Sequence, residues 1–202
     1  MSSSADRRVG SDAGTIQVFA AREIVLIALI SAMVVLAKVF FKTPIRVPGH
    51  SGVIWMGLYV IGRGVVPRTG AGTVIGVVSG ILATVMNPGT SGLLVGVKYL
   101  TSGVVLDIVA FLSRERLDNP VVGVIAGTLA HLAKLSANLG VALLLGLPAG
   151  FIALGLGYSA VTHVIFGALG GLLGALVLAR LRRHGIGLPP VAKSAGDSEV
   201  TS

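Results

Sequence analysis

Residues 120–179 read PVVGVIAGTLAHLAKLSANLGVALLLGLPAGFIALGLGYSAVTHVIFGALGGLLGALVLA, and this stretch decides the fold. It contains no Asp or Glu, and the only side chains in it that can carry a positive charge are His131, Lys134 and His163. The stretch is too apolar for a soluble domain and is long enough for two membrane crossings of about 20 residues each. A charge within hydrocarbon costs several kcal/mol, so we expect these exceptions to face a cavity or a partner.

The whole chain has the composition of a membrane protein. It is 53% hydrophobic and 12% charged over 202 residues, with a mean hydropathy of +0.92, whereas an average soluble domain is about 25% charged. It has no cysteine, which excludes disulfides, thiolate metal sites and a cysteine nucleophile. The net charge of +8 comes mainly from residues at the edges of apolar segments, so we assign it to topology and lipid headgroups rather than nucleic acid.

Six apolar segments are separated by turns rich in proline, glycine or charge, at 24–41, 53–66, 71–86, 92–112, 120–147 and 151–179. They predict an all-α integral membrane protein, a bundle of six transmembrane helices spanning 24–179, with an outward-opening ligand pocket. Residues 1–23 are predicted to be a disordered tail and 180–202 a basic tail. The second segment is short for a full span, so we expect it to be tilted, to continue into the preceding loop, or to be shielded by protein.

The distribution of positive residues predicts the orientation of the bundle. Six spans place both termini on one side of the membrane. The tails and the even-numbered connections carry most of the arginines, whereas the loops around Asn87 and Pro148 have no charge. Because cytoplasmic segments are enriched in Lys and Arg, we expect both tails in the cytoplasm and a multi-pass protein of the cell (cytoplasmic) membrane.

Glycines recur every four residues within three of the segments. Gly72, Gly76 and Gly80 form one such series, and Gly123–Gly127 and Gly167–Gly171 form two others. This spacing produces a smooth helical face on which another helix can pack closely. We favour tight internal packing over a dedicated dimer contact.

Polar and aromatic residues cluster in the outer half of the predicted bundle. Depth along the predicted spans groups the candidate ligand contacts His50, Trp55, Tyr59, Lys98, Lys134, Asn138 and Tyr158. Donors and rings at one depth indicate a small-molecule pocket, and two lysines without a local acid indicate an anionic or acceptor-rich ligand. The alternative is that the aromatic residues are interfacial anchors and that the lysines bond to backbone carbonyls or extend to the interface.

Signals for catalysis are weak. The chain has no GxSxG, HExxH, acidic pair or phosphate-binding loop. Asp107 is the one acid within the spans, and we expect it to cap a helix or to pair with Arg116 or another arginine. His50, His131 and His163 lack the spacing of metal ligands, so we expect no metal site and no cofactor in this chain. We therefore predict a binder that is not an enzyme.

Two motifs resemble a known family. The first span, EIVLIALISAMVVLAKV, carries Ala28 and Ala32 as an AxxxA face suited to helix contact. The fourth, GVKYLTSGVVLDIVAFL, follows the turn NPGTSG. With six spans and both tails inside, residues 23–183 resemble the S component of an energy-coupling factor (ECF) transporter, including its thiamine-precursor members.

This resemblance implies a function and partners. The chain would be the high-affinity substrate-binding subunit of an ATP-driven importer for a vitamin, a vitamin precursor or a similar micronutrient. It would dock through Ala28 and Ala32 on a transmembrane coupling subunit, driven by two cytoplasmic ATPases that use ATP. The loop 42–52 would gate the pocket and contribute His50. The fifth and sixth spans show no substrate-defining signature, and the N-terminus lacks the histidines of metal-uptake members.

Two other functions are compatible with the sequence. The first is a self-sufficient small transporter or channel, which uptake by the purified protein alone would favour. The second is a membrane-embedded enzyme or assembly factor, which product formation dependent on Asp107 or His131 would favour.

Overall fold

The computed structural model describes residues 19–40, 49–86, 94–144, 146 and 148–185, and this part of the chain contains six helices and no strand. The all-α prediction is therefore confirmed. In chain order the helices are α1 Ala21–Phe40, α2 Gly52–Val65, α3 Ala71–Met86, α4 Leu94–Leu112, α5 Pro120–Leu144 and α6 Ala149–Arg183. The turn at 87–89, most of the loop 42–52 and most of the two predicted tails lie outside the described residues.

The helices differ in whether they can cross a membrane. Four of them, α1, α4, α5 and α6, are long and apolar enough to do so. The other two are shorter, with 14 residues in α2 and 16 in α3. A full span needs about 20 residues, so the count of six spans stays a prediction.

The short helix α2 lies at the centre of the bundle. It contacts each of the other five helices, and nine of its 14 residues are buried. Of the three explanations that its length suggested, shielding by protein is the one that these contacts bear out. A helix surrounded by other helices does not need to match the hydrocarbon thickness, and its side chains are available to form an internal site.

Close contact between α3 and α4 follows from the glycines of α3. A Cβ atom on Gly72 would lie 2.8 Å from the Gly103 carbonyl oxygen, and one on Gly76 would lie 2.7 Å from the Tyr99 carbonyl oxygen. A Cβ on Gly80 would lie 2.9 Å from the Cα of Gly96. The glycine face of α3 is therefore filled by the backbone of α4.

The glycines of α6 form two packing faces. Gly167 and Gly171 meet α5 at Gly123 and Gly127, backbone against backbone. On the neighbouring face, a Cβ on Gly174 would lie 2.8 Å from the carbonyl oxygen of Gly57 in α2. The prediction of internal packing is confirmed for all three glycine series.

An ion network holds one end of the bundle. Arg63, only 1% exposed, pairs with Asp107 at 2.6 Å and makes two hydrogen bonds to Glu115 at 2.7 and 2.8 Å. Asp107 also accepts hydrogen bonds from the backbone N–H groups of Gly72 and Thr73 at the start of α3. Its predicted structural role is thus confirmed, with Arg63 rather than Arg116 as the partner.

Further ion pairs lie at this same end of the bundle, which we call the arginine end. Arg182 pairs with Asp118, and Arg68 pairs with Glu23 at 3.0 Å. Because α1 begins here and ends at the other side, Lys38 near its C-terminus lies at the opposite end of the bundle, which we call the lysine end.

Candidate ligand-binding site

Trp55 lies at the centre of an aromatic cluster near the lysine end. It occupies the first turn of α2 and is 2% exposed. Its ring makes edge-to-face contacts with Tyr59, Tyr99 and His131 at centroid distances of 5.6, 5.9 and 5.3 Å. His131 in turn contacts His163 at 4.4 Å between ring centroids. Four helices, α2, α4, α5 and α6, therefore meet at one group of rings.

Lysines from two helices lie over these rings, and a lysine from a third helix lies close to Lys134. Lys134 Nζ lies 4.4 Å from the Trp55 ring centroid, and Lys38 Nζ lies 5.1 Å from that of Tyr99, both within the range of cation–π attraction. Lys38 and Lys98 are close enough to Lys134 for their positive charges to repel it. The cluster thus concentrates positive charge beside aromatic surface, which favours a ligand with a ring and negative charge.

Carboxylates are distant from this cluster. The chain has no Asp or Glu at positions 24–106 or 119–196. The four acids among the described residues all belong to the ion pairs of the arginine end: Glu23, Asp107, Glu115 and Asp118. The positive charge of the lysine end is therefore not balanced by these four carboxylates.

Three buried polar atoms of the cluster have no hydrogen-bond partner among the described residues. They are Trp55 Nε1, the Tyr99 hydroxyl and His131 Nε2. Burying such an atom without a partner costs about 1–3 kcal/mol. Three such costs in one cluster, beside three lysines, indicate a place where a polar ligand supplies the missing hydrogen bonds.

The chain just before α2 approaches the histidines closely. Gly49 has φ of 81°, and a Cβ on it would lie 3.1 Å from His163 Nδ1. A Cβ on Gly52 would overlap the His131 ring. Glycine therefore allows the described end of this loop, residues 49–52, to lie directly against the site.

The predicted site residues occupy different places relative to the cluster. Trp55, Tyr59 and Lys134 belong to it, and Lys98 contributes charge. His50 lies in the turn before α2, next to Gly49. The other two predicted contacts are Asn138, which is partly buried one turn after Lys134 in α5, and Tyr158, which is 59% exposed. The roles of all seven residues as ligand contacts stay predictions.

Four residues of the cluster were not among the predicted contacts: Lys38, Tyr99, His131 and His163. Lys38 lies in the last turn of α1, and no local pattern in the sequence connects it to the predicted contacts. His131 shares a helical face with Lys134 at i and i+3, which is the signal that could have placed it in the site. No group of three His, Cys, Asp or Glu residues in the described chain is arranged to hold a metal.

A search of solved structures finds a protein with a similar fold. No family model and no curated protein matches the sequence. A crystal structure of an S-component of an ECF transporter is similar to this chain, with a TM-score of 0.65 and 22% sequence identity, over 84% of this chain and 89% of that one. The helices of this protein therefore have the arrangement seen in an ECF-transporter S-component.

Proposed function

We propose that this protein is the substrate-binding S component of an ECF-type importer, and that it captures a small micronutrient at the cluster around Trp55. The observation that carries the proposal is the cluster itself. Two lysines over buried aromatic rings, a third lysine close to Lys134 and three unpartnered polar atoms meet near the lysine end of a bundle with the S-component arrangement. Rings with a few placed polar groups are typical of small-molecule sites.

The hydrogen bonds of Asp107 also agree with a binding role rather than a catalytic one. Asp107 is fully engaged, since it receives hydrogen bonds from Arg63, from two backbone N–H groups and from the Thr73 hydroxyl. The catalytic alternative that depends on Asp107 is therefore not favoured. Transport energy would come from ATP used by two cytoplasmic ATPases through a coupling subunit.

Native mass spectrometry of the gently purified protein tests ligand capture. We expect a co-purifying small molecule with the mass of a vitamin, a vitamin precursor or a similar compound. Lys134→Ala should lower its affinity by about tenfold or more, because a charge-assisted contact to a ligand contributes about 1.5–3 kcal/mol. Arg116→Ala, which removes an exposed charge at the arginine end, is the matched control and should keep the ligand. Retention of the ligand by Lys134→Ala would contradict the site assignment.

A substitution on the outer face of α1 tests whether the protein docks on a coupling subunit through this helix. Ala28 is exposed and Ala32 is partly exposed, next to the exposed Leu29 and Met33. We expect Ala32→Trp to leave ligand binding unchanged but to abolish uptake in cells, because a large ring would keep the coupling subunit from packing closely on this face. Normal uptake by Ala32→Trp would refute docking through α1.

A matched control is available on another helix of the same bundle. Val161→Trp places the same ring at a 59% exposed position of α6. We expect it to preserve uptake, so that a loss confined to Ala32→Trp locates the contact on α1.

A further inference from the structure

One ring nitrogen of His131 has a defined role. His131 Nδ1 lies 3.1 Å from the backbone carbonyl oxygen of His163. A carbonyl oxygen only accepts hydrogen bonds, so Nδ1 carries the hydrogen. A second hydrogen on Nε2 would place another positive charge close to that of Lys134, which contacts the same Trp55 ring. In the neutral ring, the buried Nε2 is an acceptor, and it has no partner among the described residues.

The rest of the cluster supplies the opposite kind of group. The indole N–H of Trp55 and the lysine ammonium groups can only donate. Lys134 lies over the Trp55 ring, while His131 meets the same ring edge to face. A cationic donor, Lys134, and a hydrogen-bond acceptor, His131, therefore contact the same indole ring.

We propose that the ligand is an aromatic anion that also carries an N–H or O–H group, and that His131 selects it by accepting a hydrogen bond at Nε2. The proposal rests on the function proposed above and names the substrate class. The anionic group binds among Lys38, Lys98 and Lys134, and the ring packs against Trp55. A cationic ring such as that of thiamine is disfavoured, because three lysine charges would repel it.

Three small probes separate the two parts of this recognition. Compared with 4-hydroxybenzoate, 4-methoxybenzoate lacks the donor and 4-hydroxybenzamide lacks the negative charge. Trp55 is the only tryptophan of the chain, so its fluorescence reports directly on binding at the site. We expect 4-hydroxybenzoate to bind about tenfold more tightly than either analogue. Equal affinity for the three, or no binding of 4-hydroxybenzoate up to about 10 mM, would overturn the proposal.

Variants assign each preference to its residue. His131→Phe keeps a ring without the acceptor and should abolish the preference for 4-hydroxybenzoate over 4-methoxybenzoate. His131→Gln keeps an acceptor and should retain that preference, and His131→Leu replaces His131→Phe where the larger ring prevents folding. Lys134→Met should weaken only the preference over 4-hydroxybenzamide, because Lys38 and Lys98 keep part of the positive charge. Arg116→Met, an exposed charge at the other end, should keep both preferences. Unchanged preferences in the His131 and Lys134 variants would overturn the assignment.

A wrong ligand class and a wrong proposed function would give different results. If a neutral or cationic compound co-purifies with the protein and drives ATP-dependent uptake, the S-component role holds and the anionic class is wrong. If no compound binds and uptake does not depend on a coupling subunit, both are wrong.

Discussion

At the level of single residues, the protein uses its two kinds of strong cation in different places. The buried cation of the ion network is Arg63, whose planar guanidinium reaches Asp107 and Glu115 at the same time. The described lysines lie at the aromatic cluster instead. Arginine suits fixed multidentate pairs, whereas lysine is a compact charge on a flexible stem. Arginine therefore forms the fixed ion pairs here, whereas the described lysines lie at the candidate site.

Arg63→Met tests the structural part of this division. Removing Arg63 leaves Asp107 and Glu115 without their shared cation, and breaking a buried pair in this way costs about 3–5 kcal/mol. Arg68→Met is the matched control, because Arg68 is 32% exposed in its pair with Glu23 and such pairs contribute about 1 kcal/mol or less. We expect thermal unfolding in detergent, followed by circular dichroism, to show a large loss only for Arg63→Met. Similar small losses in both variants would contradict a central role of the network.

The sequence was sufficient to predict Asp107 as structural but not to identify its partner. An acid in a span needs a cation or helix N-terminus, and that need is visible in the sequence alone. Arg63 lies 44 positions earlier, on a helix whose central place follows only from the packing of the whole bundle. The choice among the arginines is therefore a tertiary property.

At the level of helices, apolar length and turn residues predicted the elements closely. The predicted third segment has the bounds of α3, and the predicted second segment differs from α2 by one residue at each end. Proline, glycine and charge mark these ends because they interrupt apolar helix. Glycine spacing predicted which faces pack closely. It did not predict that α6 uses adjacent faces for α5 and α2, since every glycine face is equally smooth before the bundle assembles.

Substitution of one glycine in α6 tests this packing. Gly171→Ala would place a methyl group against the carbonyl of Gly123 in α5, where backbone on both sides cannot move aside cheaply. We expect a loss of about 1–3 kcal/mol in stability, as for overpacking in other cores. The loss is measured as a lower midpoint of thermal unfolding in detergent.

Gly157→Ala is the control within the same helix. A Cβ at Gly157 would meet nothing within 4 Å, so the added methyl group should be neutral or slightly stabilising. If Gly171→Ala were as stable as Gly157→Ala, the α5–α6 contact would be less tight than the backbone distances require.

At the level of the whole molecule, the candidate site forms where side chains from several helices meet. Trp55 and Tyr59 were predicted together because the second segment places both in the outer half, and Lys134 because it lies deep in an apolar span. Lys38 and Tyr99 come from α1 and α4, and no local pattern connects them to α5. Their place depends on α2 packing against both helices, which short-range sequence reasoning does not describe.

The separation of the two charged ends also predicts how the bundle lies in the membrane. Arginines occupy the end where α1 begins and α6 finishes, and positive residues favour the cytoplasmic side. Introduced cysteines test this cleanly, because the natural chain has none. Gly150→Cys and His184→Cys place a thiol at exposed positions near the two ends of α6. In intact cells, a membrane-impermeant maleimide should label Gly150→Cys at once and His184→Cys only after permeabilisation. Labelling in the reverse order would invert the orientation and place the lysine end in the cytoplasm, where it could not capture a ligand from outside.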